Sequence, residues 1–187
     1  MPRPYVLFQN RVSRRLEEAA HAAALKGLAA ARSLRPSLSG ELPRFVLRPE
    51  NERGLRGCWD GQEMTVSWHA RPGEVSSVSL AVAHECGHRA LQDATVAAVG
   101  AENMTRVRNA LMRPLGAGLA MALDSWPGLD GLAEGYRSGP FRHGAYGASS
   151  PEEWLAEGFR LLVLGGRSGL VPHPAVADLL VEIPVAG

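Results

Sequence analysis

Val12, Leu16, Ala19, Ala20, Ala23, Gly27, Ala30 and Leu34 recur every three or four residues, with alanine filling much of the space between them. That period predicts an amphipathic helix from Asn10 to about Leu34, and alanine's helix propensity reinforces it. Pro36 and Gly40 break the pattern. Short β-type runs follow. Phe45, Val46 and Leu47 make one predicted strand between Pro43 and Pro49. Leu55 to Trp59 and Met64 to Trp68 flank Asp60-Gly61, a turn pair that favours a hairpin. After Pro72-Gly73 the helical period returns, and a second helix is predicted from Ser76 to Asp93. Its stretch from Val78 to Ala83 is apolar almost all round, which places it in the core.

A third helix is expected over Ala101 to Met112, stopped near Pro114, with another apolar helical stretch to Leu123. From Trp126 to Ser150 the chain is rich in glycine and holds Tyr136, Phe141 and Tyr146. A structureless run of that length usually carries function or mobility. Ser150-Pro151-Glu152-Glu153 then reads as a helix start. Serine caps, proline takes the first position, the acids oppose the helix dipole, and Glu153 closes a capping box. This helix is expected to reach Leu164, before Gly165-Gly166, and a short one from Pro174 to Val181 follows.

The 187 residues suit one domain, 1–187, with an N-terminal helix in 1–40, a small sheet in 41–70 and a helical part in 71–187. The expected class is α+β. A net charge of +1 gives no reason to expect nucleic acid as a partner, and 45% apolar residues argue against disorder. Cys58 and Cys86 make no disulfide framework and read as two thiols in a reducing compartment. No apolar run follows Arg3, Arg11, Arg14 and Arg15, so a Sec signal peptide is not expected. The longest apolar run, Leu115 to Leu123, is too short to span a bilayer. The expected location is the cytoplasm, or outside the cell by another export route.

His84-Glu85-Cys86-Gly87-His88 is the sharpest chemical feature. Residues four apart share a helix face, so both imidazoles can reach one zinc ion. Glu85 is one step round, where a carboxylate meets a reacting water rather than the metal. The alternative, a buried histidine pair without metal, leaves polar groups that are costly to desolvate. Cys86 faces away from the metal side and reads as core.

Zinc at a catalytic site needs a third protein ligand. The position six residues after His88 is Ala94, which excludes a metzincin. Glu102 is followed four residues later by Arg106, a poor fit to a thermolysin-like Glu-x-x-x-Asp. Glu153 and Glu157 fit better. They share a face of the Pro151 helix, so one can bind metal while the other hydrogen-bonds a ligand histidine. Capping explains Glu152 and Glu153, but Glu157 among Trp154, Leu155, Phe159, Leu161 and Leu162 needs a partner.

The run from Tyr146 to Leu162, with Tyr146, Glu153, Glu157 and Phe159-Arg160 in register, resembles the catalytic-domain family of anthrax lethal factor. His84 to His88 matches the His-Glu-x-Gly-His helix of that family. The resemblance implies a zincin-like fold, with a small, mostly antiparallel sheet packed on the active-site helix. It also implies a zinc-dependent endopeptidase acting on a protein or peptide, one Zn2+ per chain. By register, His84, His88 and Glu153 correspond to the metal ligands, Glu85 to the general base, Glu157 to the carboxylate behind a ligand histidine, and Tyr146 to the phenol that stabilises the oxyanion. His143 competes with Tyr146 for that last place. Met64 to Trp68 is the expected edge strand for an extended substrate. An intracellular regulatory peptidase of the ImmA/IrrE type is the second reading, since that family shares the helix motif. A catalytically inactive zinc-binding module is the third, and Glu85 beside the ligands argues against it.

Overall fold

The computed structural model describes residues 6–8, 13–39, 45–49, 57–60, 64–68, 75–111, 149–165 and 174–182. In chain order its elements are β1 (Val6–Phe8), α1 (Arg14–Leu34), a 3-10 turn (Pro36–Ser39), β2 (Phe45–Pro49), β3 (Gly57–Trp59) and β4 (Met64–Trp68). Then come α2 (Val75–Val99), α3 (Ala101–Leu111), α4 (Pro151–Val163) and α5 (Pro174–Leu180). The class is α+β. The expected stretch to Leu123, the glycine-rich run, Tyr146 and His143 lie outside the described residues. Among the described residues no helix is long and apolar enough to cross a membrane.

The strands form one sheet in the order β1-β2-β4-β3. β3 and β4 pair antiparallel, with Trp59 opposite Met64, as Asp60-Gly61 foretold. Two expectations are corrected. β1 with β2 and β2 with β4 both run parallel, so the sheet is mixed rather than mostly antiparallel. Met64–Trp68 is not an edge strand: β4 lies between β2 and β3, and among the described residues β1 and β3 are the edges. The parallel pair β1 and β2 needs a crossover, and α1 supplies it. A hairpin announces itself in its turn; pairing between residues 6 and 45 does not.

α2 is the hub, touching α1, α3, α4, α5, β3 and β4. On the sheet side Met64 and Val66 are buried at 1% and 0% exposure, while Thr65 between them is half-buried. That alternation is the period of a strand with one face on the core. On α1 the buried stripe is Ala20, Ala24, Gly27, Leu28 and Ala31, which lets the helix lie close on α2. On α4, Trp154, Leu155, Phe159 and Leu161 are fully buried, each worth roughly 1.5–3 kcal/mol of hydrophobic transfer. The end of β3 is pinned to α2 by Trp59, whose Nε1 donates to Gln92 Oε1 at 2.8 Å. The Arg89 guanidinium lies 5.3 Å over the same ring, a cation–π contact.

α2 runs six residues beyond the expected Asp93, because Ala94 to Val99 offer nothing that stops a helix. Gly100, at φ 84°, ends it in a conformation that suits glycine. The Ser150 cap forms as expected, with Oγ accepting from Glu153 N–H at 3.2 Å.

Candidate metal centre

His84, Glu85 and His88 lie one turn apart on α2, and all three are buried. α4 crosses this turn in the opposite sense, so Glu157 comes to His84 and Glu152 to His88. Gly87 permits the approach: a Cβ there would sit 2.7 Å from Ala156 Cα and 3.0 Å from its carbonyl oxygen. Any larger residue at 87 holds the carboxylates of α4 away from the histidines.

Three atoms converge between the helices. His84 Nε2 and His88 Nε2 are 3.1 Å apart. Glu153 Oε2 lies 3.1 Å from the first and 3.6 Å from the second. Ligands held at about 2.0–2.1 Å around a tetrahedral ion are about 3.3–3.4 Å from one another. The triangle is therefore the size that three zinc ligands require. His84, Glu85 and His88 also offer ligand atoms within 4.8 Å of one another, but the triangle with Glu153 is tighter. The Glu153 side chain is 22% exposed and both histidines 8%, so the triangle opens to solvent on the Glu153 side.

Each histidine is held from behind. His84 Nδ1 is 3.2 Å from Glu157 Oε1, and the other oxygen of Glu157 accepts from Arg160 Nε at 2.6 Å. His88 Nδ1 is 3.2 Å from Glu152 Oε1, which also accepts from Arg108 Nε at 3.2 Å. Both Nδ1 atoms are at ion-pair distance without hydrogen-bond alignment, and a carboxylate so close still favours the proton on Nδ1, which leaves Nε2 for a metal. Glu157 lies behind His84 on the Nδ1 side. Glu152 was assigned to the helix dipole, yet it is 4% exposed and faces His88. The signal for it was available: two ligand histidines each need an Nδ1 acceptor, and only one had been given one.

Without metal, the electrostatics couple histidines and acids. Burial opposes charge on His84, but hydrogen bonds with Glu153 and Glu157 outweigh it and raise the imidazole pKa. Burial likewise opposes charge on His88, and Glu152 and Glu153 raise it to about 10. Burial would raise Glu153, yet the two histidines bring it down to about 2. Glu157 is lowered as well, by His84 and Arg160 against its burial. Glu85 moves the other way: burial first, then Glu153 and Glu152, push its carboxyl up against the pull of the histidines. A carboxyl raised towards neutrality suits proton transfer.

β3 closes the site from the sheet side. Gly57 stands over Glu85, and a Cβ there would fall on the carboxylate, 2.8 Å from both Cδ and Cγ. Cys58 and Cys86 are free thiols, the first exposed and the second buried. Burial pushes the Cys86 thiol up to about 12, so it is inert core. Glu102 is exposed at the start of α3.

The chain was compared with protein-family models, with curated proteins and with solved structures, and none of the three gives a significant match.

Proposed function

We propose that this protein is a zinc-dependent endopeptidase, with His84, His88 and Glu153 as metal ligands and Glu85 as general base. The observation that carries the reading is the triangle of two Nε2 atoms and one carboxylate oxygen, with sides of 3.1, 3.1 and 3.6 Å. The resemblance of residues 146–162 to the lethal factor family supports the same reading, as does the solvent-facing opening beside Glu153.

When bound, zinc supplies an acidified water and a Lewis acid for the scissile carbonyl. The protein's own groups do the rest. Glu157 and Glu152 hold the imidazoles with Nε2 inward. Glu85, its carboxyl raised by burial, takes a proton from the attacking water and returns it to the leaving amine. Tyr146, outside the described residues, keeps the role its register implies, donating to the oxyanion. The substrate strand adds to β3, the edge that runs over Glu85, rather than to β4.

Metal analysis and a peptide-library cleavage profile on wild type and Glu85→Gln test the proposal. The expected result is one zinc per chain in both proteins, with hydrolysis by Glu85→Gln reduced to a small residual rate. Hydrolysis retained in full by Glu85→Gln removes Glu85 as the base, and a zinc-free protein removes the proposal.

A further inference from the structure

Arg108 belongs to neither the ligand set nor the general-base machinery. It lies on α3, three residues from that helix's end, and reaches two different elements with one guanidinium. Its Nε donates to Glu152 Oε1 on α4 at 3.2 Å. Its Nη2 donates to the backbone carbonyl of Trp59, the last residue of β3, also at 3.2 Å. The Glu152 oxygen it holds is the one facing His88 Nδ1.

The counterpart on the other histidine is built differently. Arg160 braces Glu157 from within the same helix, three residues on, so it fixes a side chain relative to its own backbone. Arg108 comes from a separate helix and joins α4 to the sheet edge. Glu152 depends on it more than Glu157 depends on Arg160. The Glu152 side chain is 5% exposed, and its second oxygen is buried with no hydrogen-bond partner among the described residues. A buried carboxylate with one oxygen engaged is held in place by whatever engages that oxygen.

We propose that Arg108 is a positioning residue that locks edge strand β3 to His88 through Glu152, so that one side chain sets both metal affinity and the placement of the substrate edge. Arginine is required because its planar fork holds a carboxylate and a carbonyl at once, whereas lysine is a single point charge on a flexible stem. The inference rests on the zinc-peptidase reading for its metal half and on geometry alone for its strand half.

The test compares wild type, Arg108→Ala and Arg108→Lys, each first checked for native circular dichroism. Zinc affinity is measured by competition with a chromophoric chelator, and amide hydrogen exchange is followed at Gly57, Cys58 and Trp59 in the metal-free proteins. Arg108→Ala is expected to bind zinc about 10–100-fold more weakly, the usual cost of losing a group behind a metal ligand. Its β3 amides are expected to exchange faster than those of wild type. Arg108→Lys should restore one property at most. Wild-type zinc affinity together with wild-type exchange in Arg108→Ala overturns the proposal, and full rescue of both by lysine overturns the fork argument. If Arg108→Ala does not fold, Arg108→Lys decides alone, on the same two readouts. A wild type that takes up no zinc defeats the peptidase reading instead. Exchange at β3 then decides the clamp by itself: faster in the variant supports it, unchanged overturns it.

Discussion

Gly57→Ala adds a single methyl group at the point where the sheet edge meets Glu85. The new carbon would lie 2.8 Å from Glu85 Cδ and Cγ and closer still to one carboxylate oxygen. Ordinary contact needs about 3.4 Å or more, so the carboxylate has to move by roughly 1 Å. A displacement of that size at a catalytic group costs on the order of 100-fold in rate, about 2.7 kcal/mol of barrier. The three atoms nearest the methyl all belong to Glu85, so zinc content is expected to stay at one per chain. Stability is expected to fall by about 1–3 kcal/mol, the range for overpacking a tight site. The assay is kcat/KM on a cleavable peptide, measured in the wild-type and in the Glu85→Gln background. Groups that act as a unit are not additive, so the methyl should cost little further once Glu85 is gone. An unchanged kcat/KM for Gly57→Ala refutes the placement of the base. An equal loss in both backgrounds moves the effect from Glu85 to the strand edge.

Removing a ligand should cost more than removing the group behind one. Glu153→Ala is expected to weaken zinc binding beyond the 10–100-fold expected of Glu157→Ala, and chelator competition reversing that order would exchange their roles. Zinc uptake should depend steeply on pH, because His84 and His88 are raised in the metal-free fold and both protons must leave before Nε2 can bind metal. Affinity should therefore rise with pH by up to about 100-fold per unit while both are protonated, ~2.7 kcal/mol. Titration at pH 7 in weak buffer should release at least the His88 proton for each zinc bound, and release near zero refutes this account. Metal-free stability should run the other way. The contribution of His88 is complete below 6.5 and lost as pH rises through about 10. The contribution of Glu153 is present above 4.5 and lost as pH falls through about 2. Thermal unfolding of the metal-free protein should thus show greatest stability between those limits, with decline on the alkaline side.

What could be read from the sequence was what is local in it. The Ser150 cap, the α4 start and the β3–β4 hairpin are each specified within a few residues, and they fold as read. The histidine pair is legible because one helical turn fixes its geometry. The sheet was only half legible: Asp60-Gly61 encodes one antiparallel pair, but nothing near Phe45 encodes parallel partners at Val6 and Met64, and the pairing with Met64 makes β4 an interior strand. Glu152 stayed hidden for another reason. An acid in a first helical turn already has a sufficient explanation, so its second role shows only when α4 is packed against α2. Arg108 carries no local signal at all, since its two partners come from β3 and α4.

The charges around the histidines bear on why the site has this composition. Glu85, Glu152, Glu153 and Glu157 surround them, and all lie within 22% exposure or less. Among the described residues the guanidiniums paired with these acids are Arg108 and Arg160. Ionised, the group is short of two positive charges. In the metal-free fold protons help to meet that deficit: the neighbouring acids raise His84 and His88, and burial raises Glu85. A divalent cation would meet it as well. Burying four acids without either remedy would cost several kcal/mol per unpaired ion. On the proposed reading a doubly charged metal suits this surplus of acids, and a nitrogen–oxygen donor set with three protein ligands and an open side fits zinc.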